Sequence, residues 1–134
     1  MSLKVLVTGT FDRLHAGHRD FFRQAAQLGA VYAIVARDQN VRRLKQHLPK
    51  ESERTRLAKV SHVPEVTRAK LGHPTDFFAL IGKIKPAILA LGFDQKRISL
   101  VKIKQELRQR KIKLTIKRLK AYQPHKFKSS LIAA

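Results

Sequence analysis

The residues best suited to chemistry are concentrated in one short run, Thr8-Gly9-Thr10-Phe11-Asp12-Arg13-Leu14-His15-Ala16-Gly17-His18, directly after an apolar strand candidate at residues 3–7. His15 and His18 stand three apart at a helix start, so both imidazoles lie on one helical face. Gly17 between them removes a side chain where a ligand could approach the backbone. The unpaired N–H groups and the dipole of a helix N-terminus favour an anion, and two imidazoles beside them suit a triphosphate. Two other readings stand beside this one: a pair of surface histidines, or two ligands of a metal. Zinc would want a third ligand at a compatible position. The placement after a strand and Gly-Thr-Phe-Asp favours phosphate chemistry.

Other phosphate and hydrolase signatures are missing. There is no Gly-x-x-x-x-Gly-Lys-Ser/Thr, no two of the six glycines stand two apart as Gly-x-Gly requires, and there is no Gly-x-Ser-x-Gly. Kinase, ATPase, dinucleotide dehydrogenase and serine hydrolase readings are weakened accordingly. With zero cysteines, a disulfide scaffold, a zinc ribbon and a thiol nucleophile are excluded.

The elements that must position the His pair follow from apolar period and punctuation. Strands are expected at residues 3–7, 31–36, 87–91 and 112–117, with a weaker one at 64–69 where only Val66 and Ala69 are apolar. Helices are expected at 16–28, 40–46 and 52–60, then from Pro74-Thr75-Asp76 to Pro86, and, after Gly92-Phe93-Asp94-Gln95, on to about Arg110. Strands separated by helices imply parallel crossovers, hence one Rossmann-like, doubly wound α/β domain over residues 1–134 with a mostly parallel sheet of about five strands. Ligands in such sheets sit at the carboxyl ends of the strands. The loops to inspect are therefore 8–18, 36–45, 91–95 and 122–130.

The chain of 134 residues carries 29 Lys and Arg against 9 Asp and Glu, a formal charge of +20. A core can form without staples at this length and 43% apolar content. No stretch approaches 18 apolar residues and the first apolar run is too short for a signal peptide, so a cytoplasmic protein with no membrane partner is expected. Thirteen Lys or Arg and one acid, Glu106, fall between Lys96 and Lys128. That excess is either a solvated basic face or a patch for polyanions.

The run GTFDRLHAGH resembles the signature of the nucleotidyltransferase superfamily with the His-x-Gly-His motif, in its cytidylyltransferase-like branch. Similar matches follow at Ala36-Arg37-Asp38, Lys45, Glu53-Arg54, Leu91-Gly92-Phe93-Asp94-Gln95 and Ser129-Ser130, so the likeness spans essentially the whole chain. Within that branch, residues 35–38 and 41–45 with Gly-x-Asp-Gln look most like the archaeal-type FAD synthases, although His125 stands where those enzymes carry a cysteine.

The resemblance implies transfer of AMP from ATP to FMN with release of pyrophosphate. The alternative is a cytidylyltransferase using CTP and a small phosphorylated alcohol, glycerol 3-phosphate or phosphoethanolamine. A phosphomonoester is largely ionised at neutral pH, so no catalytic base is required, and positioning and charge stabilisation remain as the protein's tasks. His15 and His18 are implied at the α- and β-phosphates, with Gly17 and the backbone of Thr10 and Phe11 assisting. Lys45 would follow the moving charge, and Arg54, Ser129 and Ser130 would hold the leaving phosphates. Asp94 is expected near the ribose or base. Asp12 and Asp38 either cap local turns or serve the acceptor, Asp12 by orienting a His or Lys. Mg²⁺ or another divalent cation is expected on the triphosphate without dedicated protein ligands. A homodimer is the family-level expectation. A third reading, a nucleic-acid-binding protein that kept the fold and lost the chemistry, draws on the basic charge and is opposed by the intact His15, Gly17 and His18.

Overall fold

The computed structural model describes residues 3–92 and 100–122. In chain order the elements are β1 (Lys4–Gly9), α1 (Ala16–Ala26), β2 (Ala30–Val35), α2 (Asp38–Lys45), α3 (Glu53–Ser61), β3 (Val66–Leu71), α4 (Ala79–Ile84), β4 (Ile88–Leu91), α5 (Leu100–Gln109) and β5 (Thr115–Arg118). All sheet pairings are parallel, in the order β3-β2-β1-β4-β5. The chain therefore winds outward from β1 to β3 and returns to the other side of β1. The order reverses between β1 and β4, the place where a doubly wound sheet opens a crevice at its carboxyl edge.

Alternation along the strands divides the core in two. Val5 and Val7 of β1 and Val31, Ala33 and Val35 of β2 face a cluster with Phe22 and Ala25 of α1 and Val60 of α3. Leu6, Ile34, Leu89 and Leu91 face the opposite side, against Ile81 and Ile84 of α4 and Ile103 and Leu107 of α5. Both faces are covered, which is why the central strands read as continuous apolar runs.

Three elements differ from the sequence expectation. β3 begins later and runs to Leu71, because Val66 N–H closes a turn on Val63 O before the strand starts. α4 starts at Ala79 rather than near Pro74. His73 Nδ1 accepts the Thr75 and Asp76 N–H groups, and Asp76 Oδ1 accepts that of Phe78, so side chains satisfy donors that a helix would otherwise claim. Asp76 is in turn gripped by Arg110, whose hydrogen bonds, with the Phe78 N–H, hold its carboxyl below the usual carboxylate range. The last strand begins at Thr115, because Lys111 turns the chain at φ 58° and Ile112 N–H returns to Leu107 O. Ile112 and Leu114 still pack on the core, but without a ladder. Among the described residues no helix is long and apolar enough to cross a membrane.

Gly29 fixes the entry into β2. A Cβ there would lie 2.3 Å from Leu3 O, the carbonyl that accepts the Ala30 N–H, and the backbone at φ 158° offers no easy escape. Gly29→Ala should therefore destabilise the fold by about 2 kcal/mol or more, read as a lower urea midpoint at unchanged slope.

Candidate active site

The run after β1 leaves the sheet through two residues in left-handed backbone, Phe11 at φ 55° and Arg13 at φ 48°. Neither is glycine, and each such conformation costs roughly 1 kcal/mol or more. Burial offsets the first: Phe11 is only 5% exposed, with its ring 4.9 Å from Phe22 and 5.8 Å edge-on from His18. Gly9 makes room for it, since a Cβ there would stand 2.9 Å from Phe11 Cζ. Phe11 thus fastens the loop to the core while its backbone swings toward the crevice.

α1 opens with a reciprocal cap made by the two histidines. His15 Nδ1 accepts the Gly17 N–H at 3.1 Å, and His18 Nδ1 accepts the His15 N–H at 3.2 Å. The rings stack with centroids 3.9 Å apart. Because each Nδ1 is an acceptor, each neutral ring carries its proton on Nε2, so both present the same kind of donor. Gly17 leaves room for this stacking, for a Cβ would stand 3.0 Å from His15 Cε1 and press on that ring. The same Cβ would lie 3.9 Å from Tyr122 Cδ2, so the chain after β5 passes over the start of α1. Gln24 holds it there by donating to Lys120 O and accepting the Lys120 N–H.

Lys45, at the end of α2, reaches across to donate to Thr10 Oγ1 at 3.3 Å, which places an ammonium beside the same loop. Asp12 fastens the segment after α2: its two oxygens accept the N–H groups of Lys50 and Glu51 at 2.7 and 2.9 Å. Burial works against its charge, but those N–H groups, with Arg13 and Arg56 nearby, hold its carboxyl below the ordinary value. Glu51 returns the contact by accepting the Arg13 N–H and by pairing with Lys59, which holds its own carboxyl low.

Arg56 is the group around which these loops close. It is wholly buried. Its Nε donates to Glu51 O, one terminal nitrogen donates to Thr10 O and Ala36 O at 2.8 and 2.7 Å, and the other pairs with Asp38 Oδ1 at 2.6 Å. Asp38 also accepts the Glu53 N–H, and Glu53 accepts the Asp38 N–H in exchange. One guanidinium thus joins the exits of β1 and β2 to α2 and α3.

The structure gathers Thr10, Phe11, Asp12, His15, Gly17, His18, Lys45 and Asp38 around the carboxyl ends of β1 and β2. Arg54 lies exposed on the first turn of α3. Asp94, Ser129 and Ser130 fall outside the described residues, as does His125. Sequence reasoning missed Arg56, Glu51 and Tyr122. Glu51 had a signal, because it adds to a cluster of scarce acids at 51 and 53, whereas Arg56 was one base among 29. A cavity of about 340 Å³ lined by Leu14, Arg19, Lys59 and His62 lies between α1 and α3, beside the imidazole pair rather than over it. Among the described residues no three His, Asp or Glu converge as metal ligands.

A doubly wound sheet whose crevice is edged by two Nε2–H donors, a helix start and an ammonium defines an enzyme of the nucleotidyltransferase kind. The cytidylyltransferase-like family model matches residues 6–134, and the chain belongs to that family. It is 42% identical to the FAD synthase of Aciduliprofundum boonei over 90% of this chain and 80% of that one. It is 39% identical to the FAD synthase of Archaeoglobus profundus over 96% and 81%. The crystal structure of a lipopolysaccharide core biosynthesis protein from Thermoplasma volcanium superposes with a TM-score of 0.86 at 33% identity, covering 92% of this chain and all of that one.

Arg56→Met should remove a buried charge whose partners stay behind, at a loss of about 3 kcal/mol or more. Arg56→Lys should recover little, since an ammonium cannot reproduce the planar fork that reaches both strand exits. Urea unfolding of the two variants checks both statements.

Proposed function

We propose that the chain is an FMN adenylyltransferase, joining AMP from ATP to FMN to give FAD and pyrophosphate. The observation that carries this reading is the pair of Nε2–H imidazoles set by the α1 cap beside Lys45 and Thr10. The choice of FMN and ATP draws on the FAD synthases to which most of the chain is similar.

The FMN phosphate carries its own nucleophile. Its ionised oxygen attacks the α-phosphorus of ATP, a new P–O bond forms, and the bond from that phosphorus to the bridging oxygen of the β-phosphate breaks. Charge grows on the non-bridging oxygens and on the departing pyrophosphate, and preorganised donors there lower the barrier. His15 and His18 donate from Nε2 to the α- and β-phosphates. The Thr10 and Phe11 N–H groups and the helix start at Gly17 add fixed dipoles. Lys45, on a flexible stem, follows the charge as it moves.

Arg54, Ser129 and Ser130 are assigned to the β- and γ-phosphates, and Asp94 to the ribose or base. Asp12 and Asp38 serve the acceptor side through the loops they hold. A divalent cation, Mg²⁺ above all, would come with the triphosphate and would offset its charge. Asp12, Asp38, Glu51 and Glu53 are already committed to protein donors. The acids beside the site are thus suited to holding loops rather than a resident ion.

Incubation with ATP, Mg²⁺ and FMN should yield FAD and pyrophosphate, followed by chromatography of the flavin. Pyrophosphate from CTP with glycerol 3-phosphate or phosphoethanolamine, and none with FMN, would replace the acceptor while keeping the reaction. His18→Ala should lower kcat by about a hundredfold or more, the scale for loss of one preorganised donor. His62→Ala is the comparison, because His62 caps α3 and contacts Ala58 O at 2.7 Å. Equal and small effects of the two substitutions would remove the phosphate role from His18.

A further inference from the structure

Among the described residues, five other than glycine stand in left-handed backbone: Phe11, Arg13, Gln46, Lys85 and Lys111. Gln46 and Lys85 are the residues on which α2 and α4 end, and Lys111 turns the chain just past α5, where such backbone is an ordinary way to stop a helix. Phe11 is held by the burial of its ring. Neither circumstance accounts for Arg13. It is exposed, follows no helix, and lies two residues before His15.

What distinguishes Arg13 is a carboxylate on its N–H. Glu51 Oε1 accepts that N–H at 2.8 Å, while the N–H of Glu51 itself is held by Asp12 Oδ1 at 2.9 Å, so two bonds clasp residues 12 and 13. A charged acceptor makes such a bond roughly twice as strong as a neutral one. Glu51 is in turn fixed at both ends: its carbonyl accepts from Arg56 Nε at 3.1 Å, and its Oε2 pairs with Lys59. The Lys59 bond, aided by the Arg13 N–H, holds its carboxyl below the ordinary glutamate value, so it stays an ionised acceptor at neutral pH. Only Leu14, which packs on the core, separates this clasp from the His15 cap. The direction in which the chain leaves Arg13 therefore decides where the imidazoles stand.

We propose that Glu51 is a positioning residue for the transfer reaction: by holding the Arg13 N–H it keeps the left-handed turn that sets the two Nε2–H donors. This rests on the phosphate role given to His15 and His18. Both Glu51 oxygens are met by protein donors, so the residue acts through the loop and not on the substrate.

Four variants test it, with kcat read for FAD formation or for pyrophosphate release from whichever nucleotide and acceptor the parent chain uses. Glu51→Ala should lower kcat by about tenfold or more, because small displacements of reacting groups are costly. Glu51→Gln keeps an oxygen for the Arg13 N–H and should retain most of the activity. Arg13→Val keeps Glu51 but resists left-handed backbone, and should reproduce the Glu51→Ala loss. Arg13→Asn, whose side chain tolerates that backbone, should restore most of kcat in the Glu51→Ala background.

The ring ¹⁵N signals at pH about 8, where imidazole is neutral, read the same geometry without any substrate. In Glu51→Ala and Arg13→Val, His15 and His18 should lose the pattern of a protonated Nε2 and an accepting Nδ1, with the His62 tautomer unchanged, and Arg13→Asn should bring the pattern back. Unaltered imidazole signals in Glu51→Ala would overturn the proposal, whatever the acceptor proves to be. So would full activity in Arg13→Val, or a Glu51→Ala loss that follows the melting temperature down and that Arg13→Asn does not restore. Disturbed and restored signals at an unchanged kcat would overturn the phosphate reading of the two histidines, and the proposal with it.

Discussion

A guanidinium shut away from water must have its donors met, and the carboxyl edge of this sheet is assembled around Arg56 meeting that demand. Its partners are two strand-exit carbonyls, Thr10 O and Ala36 O, one loop carbonyl, Glu51 O, and the Asp38 carboxylate. They come from three segments, the loop after β1, the β2–α2 junction and the segment before α3, so none can drift without leaving a buried donor or acceptor unsatisfied. The demand then spreads. Asp38 and Glu53 each accept the other's backbone N–H, which sets α2 against α3, and Asp12 accepts the Glu51 N–H while Glu51 accepts that of Arg13, which ties the signature run to the segment after α2. Lys45 and Thr10 meet across the frame so formed.

That rigidity matters because the proposed reaction leaves little to side-chain chemistry. With an acceptor already ionised, rate enhancement comes from donors whose positions need no rearrangement as charge develops. The histidine cap supplies this economically. An imidazolium could not accept the N–H bonds that His15 and His18 accept through Nδ1, so the cap as built requires two neutral rings, and neutral rings so arranged carry Nε2–H. The helix start thereby fixes the tautomer of both donors. Gly17 permits the close stacking, and the anchored Phe11 sets the height of the loop from which α1 departs.

Much of the fold was legible because burial on both faces leaves a strong mark on strands. Residues 31–36 and 87–91 are apolar almost without interruption, and the sheet encloses them. Where that mark fades the sequence misleads. At β3, an edge strand, Thr67, Arg68 and Lys70 are exposed, and only Val66 among its residues is fully buried. At residues 73–78 the deciding contacts are side chain to backbone, through His73 and Asp76, and local propensity does not encode them. The His pair was legible because type, spacing and context coincide in eleven residues. Arg56 was not, because burial distinguishes it from Arg54 and no property of the residue itself does.

The scarcity of acids gives the electrostatics a division of labour. Four of the nine, Asp12, Asp38, Glu51 and Glu53, stand around the site, and there they accept backbone N–H groups or pair with Arg56 and Lys59. A carboxylate so engaged holds a loop in place while its negative charge is partly neutralised by its donors, so the crevice keeps a net positive field for anionic ligands. Elsewhere some cations, Lys104, Arg108 and Lys117 among them, form no ion pair with an acid among the described residues, and the fold bears their mutual repulsion. Self-repulsion at +20 favours expansion of the chain. Resistance to it depends on the two apolar clusters and on the paired network at the strand exits, so the groups that shape the crevice also help to keep the domain compact.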